Sequence, residues 1–235
     1  MSSPSSVSLP SPGRLRWTLG VFTASTFLSA FLLFLVEPMF SRMVLPLLGG
    51  APSVWNTCML FFQAALLAGY LYAHAGARRW DARRQAWVHL GVLAVAVLLL
   101  PIAVRGGGPA GGASPIPWLL GRMAVTVGVP FFVLAGTGPM LQRWFAGTGH
   151  PDAENPYFLY AASNLGSMLA LLSYPLLVEP RLGLAQQSRS WTAGYVALLL
   201  GVAGCALALR RGATAGVPVE TAVGEEDVDG AVGAR

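Results

Sequence analysis

Six apolar stretches dominate the hydrophobic pattern of the chain: Trp17 to Val36, Trp55 to Ala75, Trp87 to Val104, Trp118 to Leu134, Tyr157 to Val178 and Trp191 to Leu209. About 20 helical residues cross the roughly 30 Å of bilayer hydrocarbon, so each stretch is close to one crossing. Every stretch opens on Trp or Tyr, side chains that settle at the boundary between headgroups and acyl chains. The pattern predicts an all-α fold, a polytopic membrane helix bundle of six transmembrane helices over residues 14–211, the size of half a transporter. A Ser/Pro-rich start (residues 1–13) and an acidic tail (residues 212–235) are expected to be disordered. No A-x-A cleavage site follows the first stretch, which therefore reads as an uncleaved helix rather than a signal peptide. The fourth stretch is the least regular. Arg122 lies near its start and Pro130 inside it, which predicts a kink or an extension to Gly138.

Polar positions inside these stretches are few and ordered. Asn56, Gln63 and Tyr70 are spaced seven apart, nearly two helical turns, so they share one face, and His74 extends the stripe. The fifth stretch carries Tyr160, Asn164, Ser167 and Tyr174 in the same way, beside a small-residue face of Ser163, Gly166, Ala170 and Ser173. The first adds Thr18, Ser25 and Ser29. Polar side chains in lipid face a bundle interior, a cavity or each other. Two readings follow: a polar cavity between the first, second and fifth helices, or hydrogen bonds between helices worth about 0.6 kcal/mol each.

Composition agrees with the membrane reading. Of 235 residues, 54% are hydrophobic and 11% charged, against about 25% charged in a typical soluble domain. The basic residues are all arginine. Their positions between apolar stretches mark topology, so nucleic acid is not an expected partner despite a pI of about 9.8. With the N-terminus inside, Arg14, Arg16, Arg78, Arg79, Arg83, Arg84, Arg143, Arg210 and Arg211 are cytoplasmic, against Arg42, Arg105, Arg122, Arg181 and Arg189 outside. That bias places both termini in the cytoplasm. GGGPAGG in the connector after Arg105 lies between two spans and reads as a flexible loop, not a phosphate cradle.

Catalytic signals are weak. The absence of lysine excludes a Walker-type phosphate loop and a Schiff base. Cys58 and Cys205 sit in apolar stretches as packing residues. His74, His89 and His150 lack metal-ligand spacing, although His74 and His89 flank one inner loop and could meet across it. No Ser-His-Asp order, HExxH or nucleophile elbow is present. The chain reads as non-enzymatic by itself, with no catalytic residue, metal or cofactor assigned. Glu37 and Glu179 are the notable charges. Each lies in an LVEP tetrapeptide, read as closing an outward-going span, so both belong to one membrane face. They would attract a cation, or pair with Arg42, Arg122 or Arg181 on that side. Four residues are too few to establish a duplication.

The stretch from Val36 to His74, VEPMFSRMVLPLLGGAPSVWNTCMLFFQAALLAGYLYAH, resembles the N-terminal membrane region of bacterial fused major-facilitator/spermidine-synthase proteins. VPFFVLAGTGPMLQRWFA (Val129 to Ala146), NPYFLYAASNLGSMLALLSYPLLVEP (Asn155 to Pro180), Trp191 and the pair Gly194 and Tyr195 agree, so the resemblance runs from Phe22 to Tyr195. It implies a membrane domain that in full-length relatives is joined to a polyamine aminopropyltransferase-like domain. Here only the acidic tail follows Arg211, so aminopropyl transfer is carried over to no residue. The matching positions, Glu37, Pro38, Pro46, Trp55, Asn56, Gln63, Tyr70, Gln142, Arg143, Trp144, Tyr160, Asn164 and Glu179, are the site candidates the resemblance implies. Of these, Pro38 and Pro46 are expected to end helices and Trp55 to anchor an interface.

Together these readings predict a membrane protein that binds or transports a small, cationic, polyamine-like metabolite. Glu37 and Glu179 would attract it, and Asn56, Gln63, Tyr70, Tyr160 and Asn164 would complete the ligand site. The alternative is a membrane anchor or scaffold for a separately encoded aminopropyltransferase-like enzyme. The expected partners are the lipid bilayer, a second copy forming a homodimer, or that soluble enzyme.

Overall fold

A computed structural model describes residues 11–104, 106–109 and 114–212. Most of the expected disordered start, part of the Gly-rich connector (residues 105 and 110–113) and the acidic tail lie outside the described residues. Within them the chain forms six helices long and apolar enough to cross a membrane, and no strand. This is an all-α membrane bundle. The spans are α1 (Pro12–Leu48), α2 (Pro52–Arg79), α3 (Ala82–Leu99), α4 (Pro115–Ala146), α5 (Tyr157–Arg181) and α6 (Leu184–Gly212). An even number of crossings places the two ends of the bundle on one side of the membrane.

Several spans outrun the apolar stretches that predict them, and proline is the main reason. Pro38 and Pro46 do not end α1; the helix runs through both to Leu48. Without water to compete for backbone groups, a helix in lipid keeps its ladder despite the one bond each proline removes. The first LVEP segment therefore lies inside α1, while the second does close α5. In α4 and α5 the prolines are absorbed differently. A π-helical turn at Ala124–Gly128 precedes Pro130, and another at Tyr174–Val178 contains Pro175. The wider turn makes room for the ring without breaking the span. At the other extreme, α1 and α2 are joined by three residues. Gly49 turns the chain there with φ 73° and ψ 178°, a region nearly closed to other residues.

Two helices form the centre. α1 packs against α4, α5 and α6, and α4 packs against α1, α2 and α3 and touches α6. The main pairings are unchanged when α1, α2 and α3 are exchanged with α4, α5 and α6. Individual contacts obey the same exchange. A methyl group placed on Gly69 of α2 would lie 2.7 Å from the Phe132 carbonyl oxygen and 3.1 Å from the Gly136 nitrogen of α4. One placed on Gly166 of α5 would abut the Phe27 carbonyl oxygen and lie 3.3 Å from the Phe31 nitrogen of α1.

Phe27 and Phe31 map onto Phe132 and Gly136 under one constant shift of 105 residues, the separation of Ser29 and Leu134, which meet between α1 and α4. Likewise Trp191 Nε1 donates to Leu32 O (2.9 Å), where His89 Nε2 meets Thr137 Oγ1 (3.0 Å) in the other half. The shift from α3 to α6 is 102 residues, and Tyr195 OH donates across it to Leu93 O. The fold is thus two three-helix repeats. Because each repeat has an odd number of crossings, the second is inverted in the membrane.

The repeat locates its weak points. Gly69→Ala and Gly166→Ala should each destabilise the detergent-solubilised protein by about 1–3 kcal/mol through overpacking. Gly91→Ala, with open space around it, should leave thermal unfolding unchanged. Equal behaviour of all three variants would contradict the close approach.

Candidate functional site

Where the two repeats meet, α1, α2, α4 and α5 leave a cavity of about 260 Å³. Its lining is Thr26, Ser29, Ala30, Leu33 and Phe34 of α1, Tyr70 of α2, Leu134, Ala135, Gly138, Pro139 and Gln142 of α4, and Tyr160 and Ser163 of α5. Tyr70 and Tyr160 are half-exposed and stand at the rim. Thr26 and Ser29 are buried.

Thr26 is the informative residue. In Thr23, Thr57, Thr126, Thr137 and Thr192 the hydroxyl donates to the carbonyl one turn earlier. Thr26 Oγ1 instead has no hydrogen-bond partner, and it is the buried side-chain oxygen in that state among the described residues. An unmet buried hydroxyl costs about 1–3 kcal/mol. Two prolines add acceptors nearby: Pro38 has no N–H for the carbonyl of Phe34, nor Pro139 for that of Ala135, and both residues line the cavity. The lining contains hydroxyls, an amide and tyrosine rings, and no charged side chain.

The sequence-derived candidates divide accordingly. Tyr70 and Tyr160 line the cavity. Asn56, Gln63 and Asn164 are exposed on the outer faces of α2 and α5 and do not line it. Glu37 is half-buried on α1, outside the lining, with no ion-pair partner among the described residues. Glu179 forms an ion pair with Arg42, joining α5 to α1 where both side chains remain partly solvent-accessible. Tyr174 leaves the α5 stripe altogether: it starts the π-helical turn and is buried, donating to Gln187 Oε1 at 3.3 Å. His74 and His89 do not meet. His89 is fully buried between Thr137 and Tyr72, whereas His74 is exposed.

The contribution of α4 is what the polar stripes do not foretell. Gln142, Pro139 and Gly138 complete the cavity, in a span whose apolar character hides its role. Beside it, α4 also supplies a polar cluster. Arg143 donates through Nη1 to Gln85 Oε1 (2.6 Å) and through Nη2 to the carbonyls of Ala77 (3.0 Å) and Trp80 (3.1 Å). Trp144 Nε1 donates to the same Gln85 oxygen, and Gln85 Nε2 donates to Ala73 O. The guanidinium thus caps the negative end of α2 and pins the α2–α3 turn. A second concavity, about 230 Å³, adjoins this cluster and shares Tyr70 and Pro139 with the first. No signal of period or motif singles out Gln85, which follows a run of arginines.

Comparison with models of known families, with curated proteins and with solved structures returns no match.

Gln85→Leu removes the acceptor shared by Arg143 and Trp144. It should destabilise the protein by about 1–3 kcal/mol, read as a lower unfolding temperature in detergent. Unchanged stability would show that the cluster is not a structural pin.

Proposed function

We propose that this protein is a transporter-like component of a bacterial cytoplasmic membrane, with both termini cytoplasmic, that binds a small polar metabolite in the cavity between the repeats. The observation that carries this reading is the unpartnered Thr26 hydroxyl in a cavity otherwise furnished with neutral hydrogen-bonding groups. A fold that leaves such a group buried forgoes stability, and a ligand bonded to it would recover the loss. The arginine bias supports the orientation. Under it, Gln142 and Tyr160 lie toward the cytoplasmic ends of their helices, so the cavity opens inward.

A polyamine-like amine suits this chemistry. Its N–H groups would be met by hydroxyl and carbonyl oxygens, and its charge by the faces of Tyr70 and Tyr160. The resemblance to the membrane region of spermidine-synthase fusions supports the same class of ligand. Glu37 and Glu179 would then act at most on approach, since neither lines the cavity. Inverted repeats with a site between them are the common ground plan of secondary transporters.

A second reading has its own observation. Arg78, Arg79, Arg83 and Arg84 are exposed around the α2–α3 turn, a surface suited to an acidic soluble partner such as an aminopropyltransferase-like enzyme. Under this anchor role the cavity would be idle.

Thr26→Val separates the two. It keeps the shape and removes the hydroxyl, so it should raise stability by about 1 kcal/mol while lowering uptake of labelled spermidine into proteoliposomes about tenfold. If stability rises and uptake is unaffected, or the wild type takes up nothing, the transport reading fails. Recovery of a soluble enzyme that is lost on changing the four arginines to serine would favour the anchor.

A further inference from the structure

The exposed surface of the bundle is not uniform. On α3 and α6 large exposed residues are apolar: Val95 within α3, Leu98 in its last turn (81% exposed), and Val196 and Leu200 within α6. That is a lipid-facing surface. The opposite side, formed by α2 and α5 flanking α1 and α4, exposes Asn56, Gln63 and Tyr70 along α2, and Tyr160 and Asn164 along α5. Gln63, Tyr70 and Asn164 lie well inside their spans. In hydrocarbon their amides and hydroxyls would have no water to bond, at a cost of several kcal/mol for each unsatisfied group. This side exposes apolar side chains as well, among them Leu60, Leu67 and Leu71 of α2 and Leu165, Leu169 and Leu172 of α5, and the polar stripes run between them without partners.

The cavity is open on the same side. Its rim residues Tyr70 and Tyr160 belong to the two polar stripes, Tyr70 two turns along from Gln63 and Tyr160 one turn from Asn164. As it stands, lipid would reach the polar lining. The site is incomplete.

We propose that a second copy of this chain covers this face, forming a two-fold dimer in which the α2 and α5 stripes of one protomer meet those of its partner and close the cavities between them. The chemistry of the stripes selects this occupant. Asn, Gln and Tyr each donate and accept, so the face is complementary to itself, as an isologous interface requires. No charged side chain lies in the mid-span part of the stripes, so two copies meet without like-charge repulsion. A soluble partner would instead engage the arginines at the membrane surface and leave the amides in lipid. The closing of a ligand site rests on the transport reading; the interface does not.

The test uses the full chain in native membranes. Cys58 and Cys205 are free and buried, so both are first changed to alanine. On that background Gln63→Cys with Asn164→Cys, treated with a bifunctional maleimide, should give a species of twice the 24.7 kDa chain. Leu98→Cys with Leu200→Cys should give at least tenfold less. Native mass spectrometry of the unaltered protein should show the same dimer, which guards against a variant that misfolds. A monomer by mass spectrometry, an adduct of any other mass, or equal cross-linking from the α3/α6 side would overturn the proposal. Spermidine uptake measured in parallel keeps the two ideas apart. A dimer that transports nothing retains the interface and removes the ligand, whereas a monomer that transports does the reverse.

Discussion

The architecture depends on two close approaches of backbone to backbone. At Gly69 and at Gly166 a peripheral helix comes near enough to a central one that no side chain fits between them. In a membrane the hydrophobic effect does not press helices together, because lipid is as apolar as leucine. Association relies on dispersion contacts and on hydrogen bonds that gain from dryness. Glycine supplies the first by letting main chains touch. The two contacts hold α2 on α4 and α5 on α1, crossing from one repeat to the other, so the halves are interlocked rather than placed side by side. The buried bonds from Trp191 to Leu32, and between His89 and Thr137, then fix the outer helices α6 and α3 to the same central pair.

This arrangement explains where the cavity lies. With α2 and α5 drawn onto the central helices at one level, the space between them cannot also be filled elsewhere along the axis. What remains is bounded by main-chain-rich, small-residue surface: Ala30, Ala135, Gly138 and Ser163. Small residues that allow helices to touch at one level leave room at the next. Packing and binding are thus two results of one choice of residue size. Polar atoms enter that room through Thr26 and Ser29 of α1 and Gln142 of α4.

Much of this is legible in the chain. Six spans, their order and their aromatic ends follow from hydropathy, and the stripes on α2 and α5 mark two walls of a cavity through Tyr70 and Tyr160. The helix ends are less legible, because proline is a stop signal in water and only a local defect in lipid, as Pro38 and Pro46 show. Tyr174 departs from its stripe because the π-helical turn shifts the helical phase at that residue. α4 shows no polar stripe, since its share of the site comes from Gly138, Pro139 and Gln142, and of these only Gln142 stands out, through the family resemblance rather than through period. The repeat does leave a trace. Phe61-x-x-Ala64-Ala65-x-x-x-Gly69-x-x-x-Ala73 returns as Phe158-x-x-Ala161-Ala162-x-x-x-Gly166-x-x-x-Ala170. The LVEP echo masks it, because its two copies fall at positions the exchange of halves does not relate.

That trace has an implication for sidedness. Two copies of a three-helix unit joined end to end must enter the membrane in opposite senses, yet the translocation machinery reads arginine the same way in both. A duplicated charge pattern would therefore send the second copy in backwards. The arginines do not follow the repeat: four border the α2–α3 turn, whereas Arg181 and Arg189 alone border the corresponding α5–α6 turn. Contacts between small residues are blind to inside and outside and were free to persist. The repeat is thus written in glycine and alanine, and the arginines depart from it.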